Sequence, residues 1–288
     1  MTDFVVATPA RLVAFLRQAL PDWKRSTIEQ RMRAGTIFVN EVAVERNDLL
    51  AEGDRVRVGK LGEVSARRPP PSGITVLYED QDLVAIDKPG GMLAVAAGDE
   101  RDVTAMALMR EHLTRPGAPV RLWPAHRIDR ETSGVLLFTK SREAQRVVQQ
   151  GWGEARKVYV ALVEGVPDPA AGTIDQKLWE DKALFVRIGP YPEAKEAITH
   201  YRTLEARGAR ALLEVELETG RRHQIRAHLA WLGHPVVGDA RYGTAGPRMG
   251  LHARSLTLAQ PHEGRTLTIE APIPTWIGAP RRRADPTR

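Results

Sequence analysis

The sequence contains no cysteine among its 288 residues. This absence excludes disulfide bridges, thiol nucleophiles and every zinc site that uses thiolate ligands. The eight histidines are scattered, and the closest pair on a predicted helix, His223 and His228, are five residues apart. Two residues with that spacing do not share one face of a helix. The sequence therefore predicts no metal site.

Long hydrophobic runs and nucleotide-binding loops are also missing. No stretch approaches the roughly 18 apolar residues of a membrane span, and the first residues lack a basic segment followed by an apolar one. The sequence has neither the glycine-rich loop of P-loop proteins nor a G-x-G-x-x-G turn after a strand. We therefore expect a cytoplasmic protein without a membrane span.

The overall composition is that of a basic globular protein. Hydrophobic residues make up 42% and charged residues 27% of the chain, which are ordinary values for a protein with a sizeable core. Lys and Arg number 42 against 36 Asp and Glu, so the net charge is +6. A basic excess of this kind fits a polyanionic partner.

Two blocks separated by a linker are predicted. In residues 1–62, apolar positions recur at helical spacing from Leu12, a second helix is predicted from Ser26 to Gly35, and short alternating strands follow. Residues 63–72 are rich in proline and arginine and have no hydrophobic period, which predicts a linker.

The second block comprises residues 73–275, where strand-like and helix-like segments follow one another. No chemistry is assigned to residues 165–200, which are punctuated by proline and glycine. The basic tail, residues 276–288, is predicted to be disordered.

The segment HRIDRETSG, from His126 to Gly134, combines charge, a small-residue turn and a following apolar strand. It places the carboxylate of Asp129 among three cations or potential cations, His126, Arg127 and Arg130. Nearby positive charge favours the ionised form of a carboxylate. Such an aspartate could be a nucleophile that acts on an anionic substrate or a surface ion pair, and local chemistry alone favours the ion pair.

Two later segments carry further candidates. In the predicted buried strand KVYVALV, Tyr159 points to the opposite face from the valines beside it. The segment GRRHQIRAHL, from Gly220 to Leu229, is predicted to begin a helix on which Arg222 and Arg226 share a face beside the apolar Ile225. An arginine at that place could reach into a cleft or form a structural salt bridge at a strand end.

Taken together, HRIDRETSG, KVY and GRRHQIRAHL, with GHP and GD downstream, resemble the motifs of the pseudouridine synthases that modify ribosomal and transfer RNA. The resemblance spans about residues 10–275 in the right order. The chain differs in having Ile128 where leucine is usual and Arg222 where threonine is common. The first block resembles the S4 RNA-binding domain of many members, but has Val13 where aspartate is frequent and Glu41 where glycine is usual.

The resemblance implies an α+β fold. A large mixed, mostly antiparallel sheet with flanking helices and a central cleft would form the catalytic domain, and a small S4-like α/β domain would bind RNA. It also implies the isomerisation of uridine to pseudouridine without a cofactor. In relatives, the aspartate that matches Asp129 attacks the base at C6 or the ribose at C1′, and this sequence leaves that choice open.

The resemblance further implies roles for single residues. Arg226 would pair with Asp129, and Tyr159 would lie against the base and, in some proposals, help to remove the C5 proton. Arg127 would fill the space that the flipped base leaves, and Ile225 would line the pocket beneath that base. The residues expected to contact RNA are His126, Arg127, Ile225, Arg25, Arg31 and Arg33.

The expected partner is RNA, and the expected substrate is large-subunit (23S-type) ribosomal RNA, with transfer RNA as the nearest alternative. The protein is expected to act as a monomer. A non-catalytic RNA-binding or ribosome-assembly protein could use the same basic surfaces. A nucleosidase would cleave the glycosidic bond without rejoining it, but it would usually need a second acid–base carboxylate or a metal. The target uridines depend on RNA shape, which the motifs do not encode.

We expect that deleting residues 1–65 weakens RNA affinity and site selection more than the chemistry, because the first block contains none of the three motifs. Filter binding at two salt concentrations should show a weaker and less salt-dependent affinity, since fewer cations would face the phosphates. Equal activity of the full-length and truncated proteins on full-length ribosomal RNA would contradict this expectation.

Overall fold

The computed structural model describes residues 2–33, 36–40, 42–44, 47–59, 71, 73–96, 103–114 and 120–278. The chain forms two compact units, Met1–Pro69 with Arg110–Val120 and Pro70–Met109 with Arg121–Arg288. Most of the predicted linker lies outside the described residues, as do Gly35, Glu41 and the tail from residue 279 onward. Within the described residues, no helix combines the length and apolar character needed to cross a membrane.

Eight elements precede residue 60, and they are β1 (Thr2–Val5), β2 (Ala10–Arg11), α1 (Leu12–Ala19), α2 (Arg25–Arg33), β3 (Ile37–Val39), β4 (Val42–Ala43), β5 (Leu49–Leu50) and β6 (Arg55–Val58). Four of the strands form an antiparallel sheet in the order β1-β6-β3-β4. Leu12, Leu16 and Ile28 are fully buried beside this sheet. The predicted order of two helices followed by strands is therefore present, preceded by the strand β1 that the sequence pattern did not indicate.

The remaining elements are β7 (Thr75–Glu79), β8 (Leu83–Lys88), α3 (Ala105–Leu113), β9 (Trp123–Pro124), β10 (Ser133–Thr139), α4 (Arg142–Gln150), β11 (Arg156–Glu164), β12 (Ala171–Asp175), β13 (Leu178–Glu180), β14 (Val186–Ile188), β15 (Ile198–Arg207), β16 (Arg210–Leu217), α5 (Gln224–Trp231), β17 (Leu251–Ala259), β18 (Thr266–Glu270) and α6 (Thr275–Gly278). The large sheet has ten strands in the order β12-β15-β16-β11-β17-β10-β8-β7, with β18 beside β17 and β9 beside β10. Its pairs are antiparallel except β10 with β17. The predicted α+β class with a mostly antiparallel sheet is confirmed.

Two helices cover the large sheet and leave a cleft between them. Ile225 and Leu229 of α5 join a core with β11, β15 and β16, whereas Val148 of α4 joins a core with β8, β10 and β17. Helix α4 begins at an N-cap, Ser141, whose hydroxyl accepts a hydrogen bond from the Ala144 amide at 3.0 Å.

Two regions differ from the sequence-based expectations. Residues 165–200, which received no assignment, contain β12, the β13–β14 hairpin and the start of β15. The tail predicted to be disordered from residue 276 begins with the last turn of α6, in which Ile277 is fully buried. Ile277 packs with Val160, Leu162 and Leu212, so burial of one apolar side chain orders these residues.

Gly134 joins the segment HRIDRETSG to the sheet at the one parallel strand pair. It lies opposite Ala253 of β17 and has a φ of +107°. A Cβ atom at this position would overlap the backbone carbonyl of Ala253. Only glycine therefore allows β10 to approach β17 here.

We expect Gly134→Ala to lower the free energy of unfolding by about 3 kcal/mol, because the new methyl group adds a backbone clash to the strain of a positive φ. Gly208→Ala is a suitable control, since Gly208 has a φ of +60° but open space around its Cβ position, and it should cost only about 1 kcal/mol. Urea unfolding of both variants would measure the difference, and equal losses would contradict the proposed overlap.

Candidate active site

Asp129 lies on the loop between β9 and β10, and backbone hydrogen bonds fix this loop. The Thr132 amide donates to the Asp129 carbonyl at 3.2 Å, and the Gly91 amide donates to the Arg130 carbonyl at 2.9 Å. The side chain of Asp129 is 24% exposed. Its carboxylate is therefore held in place and still open to the cleft.

A buried lysine forms hydrogen bonds that also hold this loop. Lys88, the last residue of β8, is 0% exposed, and its Nζ atom donates to the carbonyl oxygens of Pro89, Met92 and Arg130 at 2.7 to 2.9 Å. Burial lowers the pKa of Lys88 to about 7, although Glu131 and other nearby carboxylates favour the ammonium. Three acceptors match the three N–H groups of an ammonium. The sequence analysis gave Lys88 no role.

The predicted pairing of Arg226 with Asp129 is present. Arg226 Nη1 donates to Asp129 Oδ2 at 2.9 Å, although 97 residues separate the two in sequence. Burial by itself would lower the pKa of Arg226, but hydrogen bonds and charge from Asp239 and Asp129 raise it above the ordinary value. The guanidinium is therefore a permanent cation in the wall of the cleft.

Asp239, to which the sequence assigned no role, holds the other edge of this guanidinium. Arg226 donates from Nε to Asp239 Oδ2 at 2.7 Å and from Nη2 to Asp239 Oδ1 at 2.8 Å. The side chain of Asp239 is 0% exposed. Burial on its own would raise the pKa of Asp239, but Arg226 and the backbone amides of Arg241 and Tyr242 lower it overall. Arg226 is thus held between two carboxylates.

Tyr159 and Ile225 lie beneath the carboxylate. Tyr159, on β11, is half-buried and packs against the same apolar core as the buried Ile225 of α5. Burial raises the pKa of Tyr159 above its ordinary value, and the negative charge of Asp129 adds to this effect. The phenol therefore remains protonated near neutral pH.

His223 is a further neighbour of Asp129 that the motifs did not single out. It precedes α5 with a φ of +51°, its Nδ1 lies 3.0 Å from the Tyr242 hydroxyl, and its Nε2 lies 3.9 Å from Asp129 Oδ1. Burial lowers the pKa of His223 to about 4, outweighing the attraction of Asp129. The ring is consequently neutral at pH 7.

One prediction about neighbouring charges is wrong. Arg222 does not share a helical face with Arg226, because α5 begins only at Gln224, and it pairs with Glu180 at 2.7 Å. His126, a potential cation in the sequence, is neutral near pH 7, since burial lowers its pKa to about 4. Its Nε2 accepts a hydrogen bond from the Leu137 amide at 3.1 Å, and its ring stacks on that of Trp152 with centroids 5.0 Å apart.

Arg127 is an exposed cation beside the nucleophile candidate, and it makes no hydrogen bond to any residue the structure describes. Arg130 lies one residue beyond Asp129, and its Nε donates to the Gly91 carbonyl at 3.1 Å. Arg127 is therefore placed to meet an anionic ligand, whereas Arg130 has a contact within the loop system.

A cavity of about 960 Å³ unites the three motifs. Its lining residues include Arg127, Asp129, Tyr159, Arg226, His126, Trp152 and Gln149. An ionised carboxylate held by a fixed guanidinium beside a neutral ring can act as a nucleophile toward an electron-poor carbon. Among the described residues, no group of three or more histidine or carboxylate side chains could hold a metal ion.

The arginines predicted to contact RNA in the first block belong to the other compact unit. Arg25 pairs with Glu29 one turn later at 2.8 Å. Arg31 stacks over the ring of Trp23 at 4.3 Å and donates to the Gly59 carbonyl at 3.0 Å. Arg31 is thus anchored by its own unit, and Arg33 lies at the end of α2.

Comparison with known proteins identifies one family model and relatives with matching names. The family model described as RNA pseudouridylate synthase matches residues 82–231. An uncharacterized RNA pseudouridine synthase of Mycobacterium bovis is 37% identical over 265 residues, covering 84% of this chain and 86% of its own. Ribosomal large subunit pseudouridine synthase D of Nitrosomonas europaea is 32% identical over 287 residues, covering 93% and 83%.

A solved structure shares the fold. Human RNA pseudouridylate synthase domain containing 4 superimposes with a TM-score of 0.60 at 24% identity, covering 70% of this chain and 89% of its own. At this level of identity the likeness extends to the fold alone.

Acid is expected to destabilise the protein below about pH 6.5. Burial lowers the pKa of His126, His223 and His252 to about 4, whereas an unfolded histidine titrates near 6.5. Between these values the unfolded chain binds up to about three more protons than the folded protein, so the free energy of unfolding falls as the pH falls.

Urea unfolding at several pH values would test this with His126→Gln, whose amide oxygen can still accept from Leu137. Between pH 4 and 6.5, the unfolding free energy of the variant should change with pH as if about one proton fewer were taken up on unfolding. Above pH 7.5 its pH dependence should equal that of the wild type. Identical slopes for both proteins in the acid range would contradict the assignment.

Proposed function

The chain belongs to the RNA pseudouridylate synthase family and is an RNA uridine isomerase, and we propose that its substrate is large-subunit ribosomal RNA and its nucleophile Asp129. Relatives named ribosomal large subunit pseudouridine synthase D align over 93% of the chain at 31 to 32% identity. This coverage includes the first block, so the same kind of substrate is the simplest proposal. We place the reaction in the cytoplasm and assign it to a single chain.

The observation that carries the mechanism is the contact of Asp129 with Arg226 inside the cavity. One oxygen, Oδ2, accepts from the guanidinium at 2.9 Å. The other oxygen, Oδ1, has His223 Nε2 at 3.9 Å, beyond hydrogen-bonding distance. An ionised carboxylate with one anchored and one available oxygen fits a nucleophile that must form and later release a covalent bond.

The proposed reaction conserves all atoms and needs no cofactor. The carboxylate of Asp129 attacks the uridine at C6 or C1′, and the glycosidic bond between N1 and C1′ breaks. The base turns, C5 bonds to C1′, the C5 proton leaves to solvent or a nearby acceptor, N1 takes up a proton in exchange, and the carboxylate is released. The product is an isomer of the substrate.

The neighbouring side chains support the base rather than react with it. Tyr159, kept protonated by burial, would contact the base as a neutral ring, above the apolar side chain of Ile225. A uridine in structured RNA must leave its stack, at a cost of a few kcal/mol. The exposed guanidinium of Arg127 would stack in the space left behind, and the neutral His126 would keep its place in the cleft wall.

We propose that the first block acts as an S4-like domain and binds the RNA around the target uridine. We propose that Arg25, Arg31 and Arg33 contact phosphates, each adding affinity that decreases with salt. Arg25 is paired with Glu29, and Arg31 is engaged by Trp23 and Gly59, so both would exchange these contacts for RNA. In this proposal residues 1–62 bind RNA and residues 73–275 carry out the chemistry.

We expect Asp129→Asn to release no tritium above background from 23S-type ribosomal RNA labelled at uridine C5, whereas the wild type releases it. The amide keeps the size of the carboxylate but is a far weaker nucleophile, so the rate should fall by about a thousandfold or more. RNA affinity should stay within about twofold.

Asp175→Asn is a matched control, because Asp175 is an exposed aspartate on β12 outside the cavity lining. Wild-type turnover by Asp129→Asn would remove Asp129 from the mechanism. Release from transfer RNA alone would redirect the substrate assignment, and free uracil among the products would indicate a nucleosidase.

A further inference from the structure

The guanidinium of Arg226 is held by two carboxylates, only one of which belongs to the proposed nucleophile. We infer that Asp239 is a positioning residue for the isomerisation, acting through Arg226 to fix the orientation of Asp129. This inference rests on the proposed role of Asp129. Asp239 touches neither the cavity nor the reacting atoms, since it does not line the cleft and its side chain is fully buried.

The geometry shows that Asp239 constrains the Arg226 guanidinium more tightly than Asp129 does. It accepts from Nε and Nη2 through both of its oxygens, at 2.7 and 2.8 Å, whereas Asp129 accepts only from Nη1. A bidentate contact along one edge of a planar guanidinium fixes both its position and its plane. The remaining corner can then point in one direction only, which is toward Asp129 Oδ2.

Asp239 is itself rigidly placed. Its Oδ1 accepts from the backbone amides of Arg241 and Tyr242 at 2.9 and 3.2 Å. The preceding residue, Gly238, has a φ of +78°, and a Cβ there would overlap the carbonyl of Arg248. The carboxylate is therefore anchored to a turn whose backbone has little freedom.

This arrangement limits how tightly Arg226 binds Asp129. A guanidinium released from Asp239 could rotate and donate to both oxygens of Asp129, which is the preferred geometry of an unconstrained Arg–carboxylate pair. Such a contact would occupy the second oxygen, Oδ1, that the nucleophile must offer to the substrate. Asp239 thus keeps Asp129 aimed while leaving one of its oxygens available.

The first test is the steady-state kinetics of full-length Asp239→Asn on tritium-labelled 23S-type ribosomal RNA. Loss of the second carboxylate should lower kcat by about 10- to 100-fold, by analogy with the cost of removing a residue that orients a metal ligand. The KM for RNA should stay within about threefold, because Asp239 does not contact the cleft.

Glu164→Gln is the matched control. Glu164 also accepts two hydrogen bonds from one arginine, Arg210, at 3.1 and 3.2 Å, but the pair is exposed and outside the cleft. This variant removes a carboxylate from a bidentate pair and should keep wild-type kcat. An unchanged kcat in Asp239→Asn, or a raised KM with unchanged kcat, would overturn the inference.

A double variant separates positioning from support of the fold. In Arg226→Lys, the ammonium keeps the charge but has no planar edge for Asp239 to fix. If Asp239 acts through the guanidinium, adding Asp239→Asn to this background should change kcat by less than about threefold. Losses that multiply would show that Asp239 acts independently of Arg226, and the inference would fail.

Asp239→Glu answers the case in which Asp239→Asn does not fold, because it keeps a carboxylate but displaces it by one methylene group. A kcat lowered at unchanged KM would support the inference, and a wild-type kcat would overturn it. Thermal unfolding of each variant would identify that case. Absence of tritium release by the wild type would count against the proposed function, whereas release by the wild type and equal release by Asp239→Asn would count against the positioning role alone.

Discussion

The hydrogen-bonded ion pair between Arg226 and Asp129 is the interaction on which the cleft depends. It joins the loop before β10 to the first turn of α5, and these elements belong to two different apolar cores of the sheet. Burying the guanidinium would be costly without partners. Asp239 supplies the second partner, so the charge that aims the carboxylate is itself stable in the protein interior.

Cations in this site divide by exposure. Lys88 and Arg226 are buried, and each is occupied by the protein: Lys88 by three backbone carbonyls and Arg226 by two carboxylates. Arg127 is exposed and lines the cavity. The buried cations therefore shape the loop, whereas exposed cations such as Arg127 remain for a polyanion.

Sequence patterns predicted the parts of this structure that depend on local periodicity. The helix from Leu12, the buried strand around Tyr159 and the helix after Gly220 all correspond to observed elements. The pairing of Arg226 with Asp129 came from a resemblance, because no local signal spans 97 residues. The contacts of Lys88 and Asp239 were out of reach for the same reason.

Burial was the other property that the sequence did not reveal. The sequence of the motif is the same whether the His126 ring is charged or neutral. The protonation state of the ring depends on its surroundings, where it accepts a hydrogen bond from Leu137 and stacks on Trp152. The same holds for Arg31, whose guanidinium is engaged by an aromatic ring and a carbonyl. Composition gives the number of cations but not how many of them remain for a partner.

The distance along the chain between the two halves of the ion pair has a consequence for synthesis. During translation Asp129 leaves the ribosome long before Arg226 and Asp239, and β17, which flanks β10 and β11, emerges later still. Contacts between distant segments form only after the intervening chain has been made. A nascent chain therefore carries the aspartate without the groups that orient it, and the protein acquires a complete cleft only after β17 has been made.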